Sequence, residues 1–147
     1  VHVDASKGMV AMAKENAAIS GLSQAPIRYI VDDCKKFVER ELRRNNKYDG
    51  IIMDPPSYGR GPGGEVWKLE DSVYSLVGLV SGLLGDDPLF FLLNSYTSGL
   101  SPLTMSYITE LQIRKRFGGN TASGELGLRV SSTGLVLPCG ASTRWSR

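Results

Sequence analysis

Four short apolar runs in this chain each stop at a residue able to hold a ligand. Val1-His2-Val3 stops at Asp4, and Ile27 to Val31 stops at Asp32-Asp33. Tyr48 to Met53 stops at Asp54-Pro55-Pro56, and Leu89 to Leu93 stops at Asn94. A carboxylate accepts two hydrogen bonds at once, and a ribose offers two adjacent hydroxyls, so an acid at such a position suits a nucleoside. The third stop carries more. Two prolines in a row fix two φ angles and remove two amide donors, so the backbone after Asp54 is stiff and its carbonyls are held in place. A carboxylate beside rigid carbonyls accepts hydrogen bonds from an exocyclic amine on a base. Orientation of that kind is what a group transfer needs, because the nucleophile must lie in line with the carbon it attacks. Tyr58 stands where an aromatic ring stacks on a base. Arg60 and Lys68 are placed either to meet phosphates or to stand as solvated charges.

These residues meet only if the elements between them bring them to one edge. Val1 to Asp4 reads as a strand. Ser6 caps the helix that follows, with Met9, Met12, Ala13 and Ala17 as its apolar stripe and Gly21 at its end. Ile27 to Val31 is the next strand, and Cys34 to Arg44 the next helix, with Phe37, Val38 and Leu42 on one face. Tyr48 to Met53 is a third strand. The Gly- and Pro-rich stretch from Ser57 to Glu65 is expected to be loop. Asp71 to Leu84 has a helical face of Val73, Leu76, Val77, Val80 and Leu83. Leu89 to Leu93 is almost wholly apolar, as strands buried on both faces are. Ser101-Pro102 starts a helix that runs to about Phe117. The charges of its last turn, Arg114, Lys115 and Arg116, suit a helix C-terminus as well as they suit an RNA contact. Glu125 to Val130 and Leu135 to Cys139 have no room for a helix between them and should pair as an antiparallel hairpin.

The order βα-βα-βα-βα-ββ predicts an α/β fold. Its sheet is mostly parallel, with right-handed crossovers and helices on both faces, and it closes on an antiparallel hairpin. Ligands of such sheets bind outside the carboxyl ends of the strands. Asp4, Asp33 with Asp32, Asp54 and Asn94 are therefore expected along one edge. Nicotinamide enzymes and S-adenosylmethionine enzymes both place an acid on the ribose, so Asp4 alone does not separate them.

The chain has 147 residues, the size of one domain, so residues 1–147 are read as a single unit. With 41% hydrophobic and 22% charged residues the composition is that of an ordinary globular protein, and a net charge of +2 does not by itself argue for nucleic acid. Cys34 and Cys139 have neither CxxC spacing nor a disulfide framework, which fits a reducing, cytoplasmic compartment. His2 is the only histidine, so no metal site is expected. The apolar run Pro88 to Leu93 is far short of the roughly 20 residues a membrane span needs. The chain opens on Val1, directly in a strand, which leads us to expect sequence upstream.

Several stretches taken in order resemble one family. They are Val3-Asp4-Ala5-Ser6, Ala13-Lys14-Glu15-Asn16, Ser20-Gly21-Leu22, Asp32-Asp33-Cys34, Tyr48-Asp49-Gly50-Ile51-Ile52-Met53-Asp54-Pro55-Pro56-Ser57-Tyr58, and Gly134-Leu135-Val136-Leu137-Pro138-Cys139-Gly140. Together they resemble the class I S-adenosylmethionine-dependent methyltransferases of the bacterial 23S ribosomal RNA large-subunit type. The resemblance implies a Rossmann-like fold, S-adenosylmethionine as cofactor and ribosomal RNA as partner. It implies that Asp4, with Ala5 and Ser6, meets the cofactor ribose. It further implies that Asp33, with Asp32, meets the adenine amino group while Cys34 lies beside the ring. Asp54, Pro55 and Pro56 match the methyl-transfer motif, where Asp54 also borders the cofactor, and Ser57, Tyr58, Arg60 and Asn94 fall to the substrate side. It also implies a first strand and a Gly-rich turn ahead of Val1, and an RNA-binding domain further upstream.

Relatives that methylate carbon 5 of cytosine use a nucleophilic cysteine after the strand at Leu89 to Leu93, where this chain has Asn94-Ser95-Tyr96-Thr97. Cys139, on the last strand, is expected to be packed. Transfer to nitrogen, or to another atom that needs no covalent enzyme intermediate, is therefore favoured. Three other readings stay open on sequence alone: a nicotinamide-dependent dehydrogenase, a non-catalytic RNA-binding module that kept the fold, and an inactive gene fragment.

Overall fold

The structure, a computed structural model, describes residues 1–60 and 64–147 and divides into two units, Val1–Asn46 and Lys47–Arg147. The first unit consists of β1 (His2–Asp4), α1 (Lys7–Ile19), β2 (Tyr29–Val31) and α2 (Cys34–Arg43). β1 and β2 are parallel, from His2 opposite Tyr29 to Asp4 opposite Val31. The Asp32 amide extends the pairing by donating to the Asp4 carbonyl at 3.0 Å.

Local chemistry sets both helices. The Ser6 hydroxyl caps α1 by accepting from the Met9 amide at 3.4 Å. At the other end Gly21 takes φ 76°. Its amide donates to Ala18 and the Leu22 amide to Ala17, the paired bonds that close a helix on a left-handed residue. The inward face of α1 is Val10 with half-buried Ala13 and Ala17, against β1 and β2. Met9 and Met12 are exposed, which corrects the expected stripe. Three-residue strands offer a narrow surface, and small side chains let the helix approach it. In α2 the buried residues are Phe37, Val38 and Glu41, with Leu42 only half-buried. The Glu41 carboxylate accepts from Asn46 Nδ2 at 2.9 Å and from Arg44 Nη1 at 3.3 Å, so an acid is tolerated there. Asn45, at φ 57°, ends the helix.

The second unit holds β3 (Gly50–Met53), β4 (Tyr58–Arg60), β5 (Val66–Lys68), α3 (Leu69–Ser81), β6 (Phe90–Ser95), α4 (Pro102–Thr109), β7 (Asn120–Arg129) and β8 (Val136–Ser146). β3 and β6 are parallel, β6 and β8 antiparallel, and β8 and β7 antiparallel, giving the order β3-β6-β8-β7. Among the described residues β1 pairs only with β2, and β3 only with β6. The core joins Val73, Val77 and Val80 of α3, Phe91 and Leu93 of β6, and Trp145 of β8. Gly50 is required by β6: a Cβ there would lie 2.5 Å from the Phe90 ring. The result is the expected α/β, Rossmann-like architecture, with parallel βα units first and the antiparallel hairpin last.

Four expectations change. The stretch Ser57 to Glu65 is not simply loop, because β4 and β5 form an antiparallel hairpin from Tyr58 opposite Lys68 to Arg60 opposite Val66. Tyr58 on one arm, and Val66 and Trp67 on the other, favour strand. Gly61, Pro62 and Gly63 of that stretch lie outside the described residues. Asn94 does not end its strand: β6 runs on to Ser95, because β8 continues to pair with it through Ser142 and Ala141. The helix from Pro102 passes into a π-helical turn, Glu110–Arg114, and a last α turn, Lys115–Phe117. The terminal hairpin is longer than expected at both arms, and Cys139 on it is exposed rather than packed, because that part of the ribbon lies beyond β6. No helix among the described residues is long and apolar enough to cross a membrane.

Candidate functional site

The first unit carries the acids of β1 and β2. Asp4 ends β1, and its Oδ1 accepts from the Ser6 amide at 2.7 Å. Ser6 in turn caps α1, so Asp4, Ala5 and Ser6 form one tight turn from strand to helix. Asp33 caps α2, accepting from the Lys36 amide at 2.9 Å. Each of these carboxylates has a second oxygen with no hydrogen bond among the described residues. Asp32 is different: its carboxylate is ion-paired with Arg40 on α2. Cys34 is an exposed residue, yet its Sγ turns inward and donates to the Val3 carbonyl at 3.5 Å. Loss of solvent around Sγ pushes the thiol pKa up, and the charges of Asp4 and Asp33 push it further the same way. Parallel pairing of β1 with β2 thus gathers Asp4, Asp33 and Cys34 at the carboxyl ends of two neighbouring strands.

The second unit carries the Asp-Pro-Pro motif. Met53 is opposite Leu93, so Asp54 and Asn94 follow in register at the carboxyl ends of parallel β3 and β6. Asp54 is exposed and makes no hydrogen bond among the described residues. The backbone behind it is fixed twice, by the ring constraint of Pro55 and Pro56 and by Trp67, whose Nε1 donates to the Pro56 carbonyl at 2.8 Å. The Leu69 amide also donates to the Ser57 carbonyl at 3.1 Å. Trp67 was not legible as a functional residue in the sequence; the one signal was an indole N–H close to a motif rich in carbonyls.

The β4–β5 hairpin sorts its side chains by strand alternation. Tyr58, Arg60 and Lys68 share one face, and Trp67 lies on the other. Arg60 Nε donates to the Tyr58 hydroxyl at 3.0 Å, so ring and guanidinium are held together. Past Asn94, the Thr97 amide is tied to Ser95 Oγ at 3.1 Å, while the Thr97 hydroxyl is buried with no hydrogen-bond partner. Thr97 lines a shallow groove with Ser101 and Gly140. Cys139 Sγ donates to the Leu126 carbonyl at 3.4 Å on the terminal ribbon.

Within each unit the chemistry-bearing residues stand at strand carboxyl ends, as in nucleoside-binding α/β proteins. The crystal structure of the SAM dependent methyltransferase from Agrobacterium tumefaciens is similar over 99% of this chain and 48% of that one, with 40% identity and a TM-score of 0.86. SMU.776, solved as a complex with SAH, matches 97% of this chain and 38% of its own at 19% identity and a TM-score of 0.67, a likeness of fold. The ribosomal RNA large subunit methyltransferase K/L of Pseudoalteromonas atlantica is 45% identical over 56 residues, 38% of this chain and 7% of that protein. The ribosomal RNA large subunit methyltransferase I of Aeromonas salmonicida is 33% identical over 58 residues, 40% of this chain and 15% of that protein. No family model matches. Over nearly its whole length the chain is similar in both fold and sequence to a SAM-dependent methyltransferase. It spans about half the length of the Agrobacterium chain and a small share of the curated relatives.

Proposed function

We propose that this chain is the greater part of a methyltransferase domain that moves a methyl group from S-adenosylmethionine to a nucleobase of ribosomal RNA, in the cytoplasm, by direct displacement. The observation that carries the reading is Asp54: exposed, free of hydrogen bonds among the described residues, and set on a backbone that Pro55, Pro56 and Trp67 immobilise. A residue with no structural duty on so rigid a support is placed for a ligand.

The donor set fits the cofactor. The free oxygen of Asp4 and the turn through Ala5 and Ser6 suit ribose hydroxyls. Asp33 suits an adenine amino group, with Cys34 alongside the ring. Asp32, paired with Arg40, steadies the start of that turn. When bound, S-adenosylmethionine supplies an electrophilic methyl carbon on a sulfonium. The chain supplies position: Asp54 and the carbonyls of Pro55 and Pro56 accept hydrogen bonds from the amine of the target base and hold it in line. Tyr58 stacks on a base, and Arg60 and Lys68, on the same hairpin face, meet phosphates. Ser57 and Asn94 add polar contacts at the same strand ends. A base buried in a helix must be extruded first. Asn94-Ser95-Tyr96-Thr97, at the end of β6 and just past it, contains no thiol, and this favours a nitrogen acceptor.

The test is transfer of labelled methyl to ribosomal RNA by a protein extended upstream with the strand and Gly-rich turn that the resemblance implies. Asp54→Ala should abolish transfer and leave cofactor affinity nearly intact. A mutant as active as the parent refutes the role of Asp54. Tight RNA binding with no transfer by the parent itself identifies a non-catalytic RNA-binding module instead.

A further inference from the structure

The terminal hairpin reaches past the sheet that supports it. β6 pairs with β8 only from Ala141 to Ser146, so Val136 to Gly140 has β7 on one side and no strand on the other. A two-stranded ribbon is marginal on its own. Three of its leucines share one face: Leu128 is opposite Leu137, and alternation puts Leu126 on the same side, while Val136, opposite Arg129, lies on the other. Leu128 is 65% exposed and Leu137 57%. β7 is also the last strand of its sheet, ten residues long, and contains neither proline nor lysine, the usual guards of an open edge. The bulge near Leu126 does not interrupt it. Leu126 is opposite Gly140 and Gly127 opposite Pro138, so the extra residue, Cys139, is on β8.

The sequence of this edge is complementary to itself. With two copies of β7 set antiparallel about a two-fold axis at Gly127, Glu125 of each copy falls opposite Arg129 of the other, and Leu126 opposite Leu128. The charged pairs share one face and the leucine pairs the other, in keeping with strand alternation. Neither the Glu125 carboxylate nor the Arg129 guanidinium has a hydrogen bond or ion pair among the described residues. A slip of one residue in either direction sets Glu125 opposite Leu128 or Val130 and Arg129 opposite Gly124 or Leu126, so the register is selected. We propose that the β7 edge joins a second copy of this chain, making one antiparallel sheet across a two-fold axis. The interface is isologous, as two-fold interfaces are. It lies apart from Asp4, Asp33 and Asp54 in sequence and does not depend on the proposed reaction.

Sedimentation equilibrium of the chain decides it. The parent should dimerise. Glu125→Arg places arginine opposite arginine twice and should weaken the dimer roughly tenfold, since directly opposed like charges cost about what opposed unlike charges gain. Arg129→Glu should do the same with the opposite sign. The double variant Glu125→Arg with Arg129→Glu restores unlike pairs and should recover the parental dimer, and a parental circular dichroism spectrum from each single variant shows that it folds. A monomer at every accessible concentration overturns the proposal. So does a dimer indifferent to all three variants, or a double variant no tighter than the singles.

Discussion

In the first unit Asp4 and Asp33 each commit one oxygen to the backbone that follows, Asp4 to the Ser6 amide and Asp33 to the Lys36 amide. In the second unit Asp54 commits none, and its position comes from two prolines and the Trp67–Pro56 hydrogen bond. The first arrangement lets a residue serve fold and ligand together, since a capping carboxylate is oriented by the helix it starts. The second separates the tasks: neighbours hold the backbone, and the carboxylate keeps all its hydrogen-bonding capacity. Substitutions in the two regions should therefore fail differently.

The largest effect belongs to Asp54→Ala. Loss of a positioned polar group at a reacting centre costs roughly 10²- to 10⁴-fold in rate, and here it should come with no change in melting temperature. A drop in both would break the contrast, because Asp54 would then be structural. Asp4→Ala comes next. It removes a charged acceptor, worth about 1.5–3 kcal/mol, so cofactor affinity measured by calorimetry should fall about tenfold or more. A small loss of stability should accompany it, from the unpaired Ser6 amide. Unchanged affinity would remove Asp4 from the ribose site. Trp67→Phe keeps an aromatic ring and deletes only the donor to Pro56. A net hydrogen bond is worth about 0.5–1.5 kcal/mol, so turnover should fall a few-fold while cofactor binding stays level. Equal turnover would mean that the prolines alone suffice.

The smallest effect is a shift in pH. Cys34 is held protonated above the usual thiol range by loss of solvent, then by Asp4 and Asp33. Asp4→Asn removes one negative charge and lowers the thiol pKa, so the curve of Cys34 alkylation rate against pH should move to lower pH. A curve that does not move would show that Asp4 and Cys34 are not neighbours in solution.

The interface behaves like neither region. In sequence its residues form an ordinary closing hairpin, and the signal that matters, Glu125 and Arg129 placed symmetrically about Gly127, is present there. It gains meaning only once β7 is known to be an outer strand. Trp67 is a similar case, because a tryptophan eleven residues from a carbonyl has no significance until a hairpin returns it there. The π-helical turn at Glu110–Arg114 and the buried Glu41 left no sequence pattern at all.

Features whose partners lie within a few residues were set by the amino-acid sequence itself. These include the Ser6, Asp33 and Ser101 caps, the Gly21 helix end, the stiffness of Asp54-Pro55-Pro56, and the alternation of strand and helix that puts acids at strand ends. Features whose partners are distant in the chain were decided by the tertiary structure. The β4–β5 hairpin, the extension of β6 through Asn94, and the length and open edge of the final ribbon all depend on which strand lies alongside. Capping and ring constraint act over one turn of chain, whereas strand length and edge exposure are properties of a neighbour that local sequence does not contain.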